Sequence, residues 1–121
     1  MRARFPGAVT SRGVDPVAAH AYVHTTGGAS PSIESSFGVA SITDSGVGLL
    51  DVTWNVAFGG ANYTVIPSIQ IANSSQLIAY VSNDNVPTAT AVRINIVNAS
   101  TGTSTDIGTG GTHVMCFGEG Y

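Results

Sequence analysis

A chain of 121 residues and 12.3 kDa supports one hydrophobic core, burying roughly 65% of the surface its unfolded form exposes, and leaves no room for a second. Charged residues make up 9% of the sequence, lysine is absent and the formal net charge is −3, which argues against a nucleic-acid clamp and a polybasic membrane binder. Hydrophobic content of 43% and a mean hydropathy of +0.25 argue against intrinsic disorder, and the roughly one third of residues that are Gly, Ser or Thr favours short strands and tight turns over helices.

Residues 1–18 read as an extended arm. They hold Arg2, Arg4 and Arg12 among Pro6, Gly7, Gly13 and Pro16, with neither a helical nor a strand period. The arm sets three arginines against Asp15, whereas the body sets Arg93 against Glu34, Asp44, Asp51, Asp84, Asp106 and Glu119. A cationic arm on an anionic body points to docking on an acidic neighbour, through Arg2, Arg4, Phe5 and Arg12; the same residues also fit a frayed terminus. No apolar h-region follows the basic start, and no apolar run reaches the ~20 residues of a membrane span, so neither a secretory leader nor membrane attachment is expected.

From Ala19 onward the chain falls into short strand-like runs. Ala21–His24 is a first strand, stopped by Gly27-Gly28-Ala29-Ser30-Pro31. Ile33–Ile42 reads as a second, with Phe37, Val39 and Ser41 on one side, ended by a turn at Thr43-Asp44-Ser45-Gly46. Leu50, Val52, Trp54 and Val56 alternate with Asp51, Thr53 and Asn55, which assigns the apolar set to the core. After a turn at Gly59–Asn62, the run from Tyr63 to Ile71 contains Pro67, which cannot donate to a ladder and marks an edge or a bulge. Further strands are expected at Gln76–Ser82, around Val92, Ile94 and Ile96, and at Thr112–Phe117, where Val114 and Cys116 share a face. Asn83–Pro87, Gly102–Thr105 and Gly108-Thr109-Gly110-Gly111 read as the intervening turns. Seven or eight strands at about ten-residue spacing predict an all-β fold, an antiparallel sandwich or jelly-roll-like domain over 19–121.

Chemistry-bearing residues are sparse. His20 and His24 fall on one strand face about 13 Å apart, too far to share a metal unless a symmetry axis joins copies from several subunits. Cys116, the sole cysteine, lies in an apolar alternating strand with no adjacent base and reads as an inert core thiol. The Gly108–Gly111 cluster has no lysine and no following helix to make a phosphate loop. The glycosylation triplets at Asn62, Asn73 and Asn98 are those expected by chance in so Ser- and Thr-rich a chain. Tyr22, Tyr63, Tyr80 and Tyr121 offer sugar-stacking faces if exposed, and core packing otherwise. No catalytic, cofactor-binding or metal-binding residue is assigned, and no enzyme is expected.

Several segments together are more specific than composition. Ala21-Tyr22-Val23, the run from Ser36 to Gly48 (SFGVASITDSGVG), Val52-x-Trp54, Ala61-Asn62-Tyr63 and Cys116-Phe117-Gly118 resemble a β-sandwich module of tail-fibre and related virion proteins of tailed bacteriophages. The resemblance spans about residues 20–118 and is strongest over 33–65; Leu50 stands where the family usually has an aromatic residue and Gly59 where it often has proline. It implies a homotrimeric virion structural protein, assembled in the host cytoplasm and displayed on the particle surface, with other phage tail or capsid proteins as partners. Two placements follow: a tail-fibre-like knob contributing to host attachment, or a capsid decoration protein stabilising the head. The loops expected to face outward, and to meet a host-surface glycan, carry Gly27 and Gly28, Asn83, Asp84 and Asn85, and Thr101 and Thr103.

Overall fold

A computed structural model describes residues 18–71 and 76–119, and every regular element in them is a β-strand. In chain order they are β1 (Ala18–Thr25), β2 (Ile33–Phe37), β3 (Val39–Gly46), β4 (Leu49–Trp54), β5 (Thr64–Ile71), β6 (Leu77–Val81), β7 (Ala91–Asn98) and β8 (Gly110–Glu119). They form two four-stranded antiparallel sheets, ordered β2-β1-β8-β5 and β3-β4-β7-β6, packed face to face as the expected sandwich. The arm residues Arg2, Arg4, Phe5 and Arg12 lie outside the described residues, and β1 begins at Ala18, the last position assigned to the arm.

The core follows from strand alternation. Ala21 and Val23 of β1 and Val114 and Cys116 of β8 point inward from one sheet; Leu50, Val52 and Trp54 of β4 and Val92, Ile94 and Ile96 of β7 point inward from the other. Pro67 stands on β5, an edge strand, where its missing N–H removes no ladder bond on the free side. Phe58, outside any strand, closes one end of the core: its ring stacks on Tyr63 at 4.3 Å and meets Trp54 edge-on at 5.6 Å. Trp54 Nε1 donates to the Tyr63 hydroxyl at 3.1 Å, and that hydroxyl lies 2.8 Å from the Thr88 carbonyl and 2.9 Å from the Ala91 carbonyl. The indole and phenol thus bury their rings with their polar atoms satisfied.

Five sequence expectations are corrected. The segment 33–42 is two strands, because Gly38 at φ +73° turns the chain out of one sheet and into the other. Phe37 is therefore on the outer face of the first sheet while Val39 is buried, so the two do not share a side. Val56 lies beyond the end of β4 and is 63% exposed, so the alternation from Leu50 stops at Trp54. The turn placed at Thr43–Gly46 falls later, at Val47-Gly48, where Gly48 adopts φ +69° and a Cβ would collide with the Ile96 carbonyl. Finally, Gly110 and Gly111 belong to β8 and pair with Ile71 and Gln70, so only the first half of that glycine cluster is loop.

Candidate interaction surface

The same alternation that fills the core decides what the sheets show outward. In the β2-β1-β8-β5 sheet, cross-strand register arranges the outward side chains in rows. The middle row runs Phe37, Tyr22, Met115, Ile66; the row on one side runs His20, Phe117, Thr64; and the row on the other runs Ser35, His24, His113, Ser68. Phe37, Ile66, Met115, Phe117 and Tyr22 are each 45–52% exposed. Half-exposed side chains of this size add up to an apolar patch on the order of 500 Å², at the upper end of what a free monomer usually carries.

Ring packing stiffens this face. Phe37 stacks on His20 at 5.2 Å with an 18° interplanar angle, and lies 6.3 Å from Tyr22 at 20°. His24 and His113, directly opposite across β1 and β8, stack at 3.9 Å. His113 Nε2 is 3.1 Å from Gln70 Oε1, and Glu34 approaches His24 Nδ1 at 3.7 Å. Partial burial, with the adjacent His24 adding to it, holds the His113 imidazole below its ordinary pKa, against the opposing pull of Glu34. His20, by contrast, lies at the other end of the strand face from His24, as its spacing predicts.

Cys116 is fully buried, and burial pushes its thiol up to about 12, the environment of an inert sulfur. Among the described residues, no group of three or more His, Cys, Asp and Glu side chains is placed to hold a metal ion. No helix in them is long and apolar enough to cross a membrane.

The loops singled out in the sequence are divided by the fold. Gly27 and Gly28 pack against the 106–107 segment: the Gly28 N–H donates to the Ile107 carbonyl, and a Cβ on Gly27 would crowd it. Both glycines are half-buried. Thr101 and Thr103 are exposed at this same end, in the loop that leaves β7, where Thr103 accepts from the Asn98 N–H at 2.9 Å. Asn83, Asp84 and Asn85 are exposed at the opposite end, after β6, with the Asn85 N–H donating to Ser82 Oγ at 3.1 Å. No single tip gathers all three loops.

Sequence reading missed the outer rows. Their signal is nevertheless in β8, where Met115 and Phe117 are as apolar as Val114 and Cys116 on the other parity. A strand that is apolar on both faces is covered on both faces or presents a contact surface. Neither a protein-family model, nor a curated protein, nor a solved structure matches this chain.

Proposed function

We propose that the chain is a non-enzymatic structural protein of a tailed-phage particle, a small homotrimeric tail-fibre-like knob that contributes to host-surface attachment. The observation that carries this reading is the outer face of the β2-β1-β8-β5 sheet, where Tyr22, Phe37, Ile66, Met115 and Phe117 stand in register and half-exposed. A charge-poor chain with such a face gains by covering it with further copies of itself. Burying about 500 Å² of apolar surface yields on the order of 10 kcal/mol, similar to the rigid-body cost of association, so the face supports assembly only when nearly all of it is covered. The placement on a phage tail is drawn from the sequence resemblance over residues 33–65, and attachment to the particle is assigned to the cationic arm.

Light scattering on the purified chain tests the assembly: a mass about three times 12.3 kDa supports it, and a monomer at micromolar concentration removes it. Imaging of particles carrying the labelled chain tests the placement. Density at the tail tip is the expected result, and density on the capsid shell replaces the knob with a head decoration protein.

A further inference from the structure

Where Gly38 carries the chain from one sheet to the other, the corner leaves an open groove of about 560 Å³. It is lined by the stacked pair of Phe37 and His20, by Val56 and Phe58, and by the buried Trp54. None of the residues lining it is acidic, lysine or arginine. Of its lining residues, Phe37 and Val56 are 52% and 63% exposed, the latter among the most exposed large apolar residues described. Phe37 also belongs to the outer face described above, so groove and face are one continuous surface. Ser36 and Phe37 end β2, an edge strand with a free ladder side among the described residues.

β1 begins beside this groove, since His20 lines it and stands two residues after Ala18. Of the residues before Ala18, only Phe5-Pro6-Gly7-Ala8-Val9 forms an uncharged, mainly apolar stretch longer than three residues that holds an aromatic ring. It is bounded by Arg4 and, three residues on, by Arg12. Phe5 is separated from Ala18 by enough chain to span roughly 40 Å when extended, longer than any strand of the sandwich and far beyond the adjacent groove. That reach is long enough to bring the segment to a groove on another molecule.

We propose that the corner groove receives the Phe5–Val9 segment of a neighbouring copy, so that the subunits are tied together by exchanged arms. This rests on the homo-oligomer proposed above and names a second contact within it. Phe5 fills the groove between Phe37 and Val56, Pro6 favours the extended entry, and the flanking arginines remain outside the apolar walls, free to meet acidic surfaces of the particle. Each arm makes its partner's contact effectively intramolecular, which raises the cohesion of the ring without enlarging the sheet-face contact.

Disulfide trapping in the full chain tests it. A Phe5→Cys chain is co-expressed with a Val56→Cys chain so that the two assemble together, then oxidised and run on a non-reducing gel; Cys116 is buried and does not compete. A two-chain band is expected, several-fold stronger than that from Phe5→Cys co-expressed with Ser41→Cys, an exposed position on the other sheet. Equal yields at the two positions, or no inter-chain band while light scattering still reports an oligomer, overturn the exchange and leave the sheet-face assembly standing. A chain carrying both Phe5→Cys and Val56→Cys that closes only within itself also overturns it. A wild-type monomer in light scattering overturns the oligomer itself.

Discussion

On the outer face of the β3-β4-β7-β6 sheet, Asp51 and Arg93 face each other across β4 and β7. Arg93 Nε donates to Asp51 Oδ1 at 2.7 Å and Nη2 to Oδ2 at 3.0 Å, while Ser45 Oγ adds a third bond to Oδ2 at 2.6 Å. Thr43 and Thr53 flank the pair, and Asn95 donates to the Tyr80 hydroxyl at 3.4 Å. Among the strands of this sheet, large exposed apolar residues, Ile78 and Tyr80, are confined to the edge strand β6. The other sheet places Tyr22, Met115 and Phe117 on its two central strands, where a solvated sheet ordinarily shows polar side chains. Two sheets that share one core therefore differ in what covers them. Water suits the first, and the second exposes apolar surface that water covers at greater cost.

Loss of the common core removes both faces at once. Trp54→Ala removes a ring held by Phe58 and Tyr63 and the N–H that donates to the Tyr63 hydroxyl; a loss of about 3–5 kcal/mol is expected, enough to unfold a domain of this size. Both faces should vanish together, read as loss of the cooperative melting transition, and an unchanged transition would show that Trp54 is not in the core.

Charge introduced on the apolar face separates assembly from folding. Ile66→Glu places a carboxylate in the middle row, where covering it costs several kcal/mol and leaving it in water costs little. The expected outcome is a folded monomer, with the melting temperature altered only by the lost association. The equivalent change on the polar face, Thr53→Glu, should leave the light-scattering mass as it was. If both variants dissociate, or neither does, the two faces are not functionally different.

Adjacent residues on β8 sharpen the contrast at the scale of one peptide unit. Cys116→Ala, facing the core, should cost about 1 kcal/mol without changing assembly, and the folded wild-type thiol should react slowly with an alkylating agent because burial holds it protonated. Rapid alkylation accompanied by dissociation would place Cys116 on the outer surface.

The smallest effect belongs to the ion pair. Hydrogen bonds from Arg93 hold the Asp51 carboxyl below its ordinary value of 3.8, against the opposing effect of partial burial. A depressed carboxyl pKa stabilises the fold above the unfolded-state value, and that stability is lost as pH falls through the folded-state value. Asp51→Asn should therefore lower the melting temperature slightly at neutral pH and flatten the acid-side decline below about pH 4, with salt reducing the difference. Identical acid limbs for the two proteins would show that the pair contributes nothing measurable.

The sequence was read most accurately where only one strand parity is apolar. Asp51 and Thr53 between Leu50, Val52 and Trp54 allow a single orientation of β4, and Pro67 restricts its strand to an edge or a bulge, so the sandwich and much of its core were legible in advance. Two places resisted for different reasons. Phe37 and Val39 share a parity, yet the left-handed conformation of Gly38 sends them to different sheets, a change of direction that an alternation count does not register. Phe58 sits outside any period and enters the core only because Trp54 and Tyr63 come together there from β4 and the approach to β5.

Composition and alternation by themselves determined an all-β chain, the positions of its strands to within a few residues apart from the break at Gly38, the burial of Val52, Trp54 and Cys116, and the isolation of His20 from His24. Those properties depend on local backbone geometry, in which neighbouring side chains point to opposite sides regardless of what lies beyond. Only the tertiary structure decided that Tyr22, Phe37, Ile66, Met115 and Phe117 share one surface, that His24 stacks on His113, and that the 27–28 and 101–103 loops stand at the end opposite 83–85. Each of those depends on which strands become neighbours and in what register, and pairing between segments as distant as β1 and β8 is set by the packing of the whole core rather than by either segment alone.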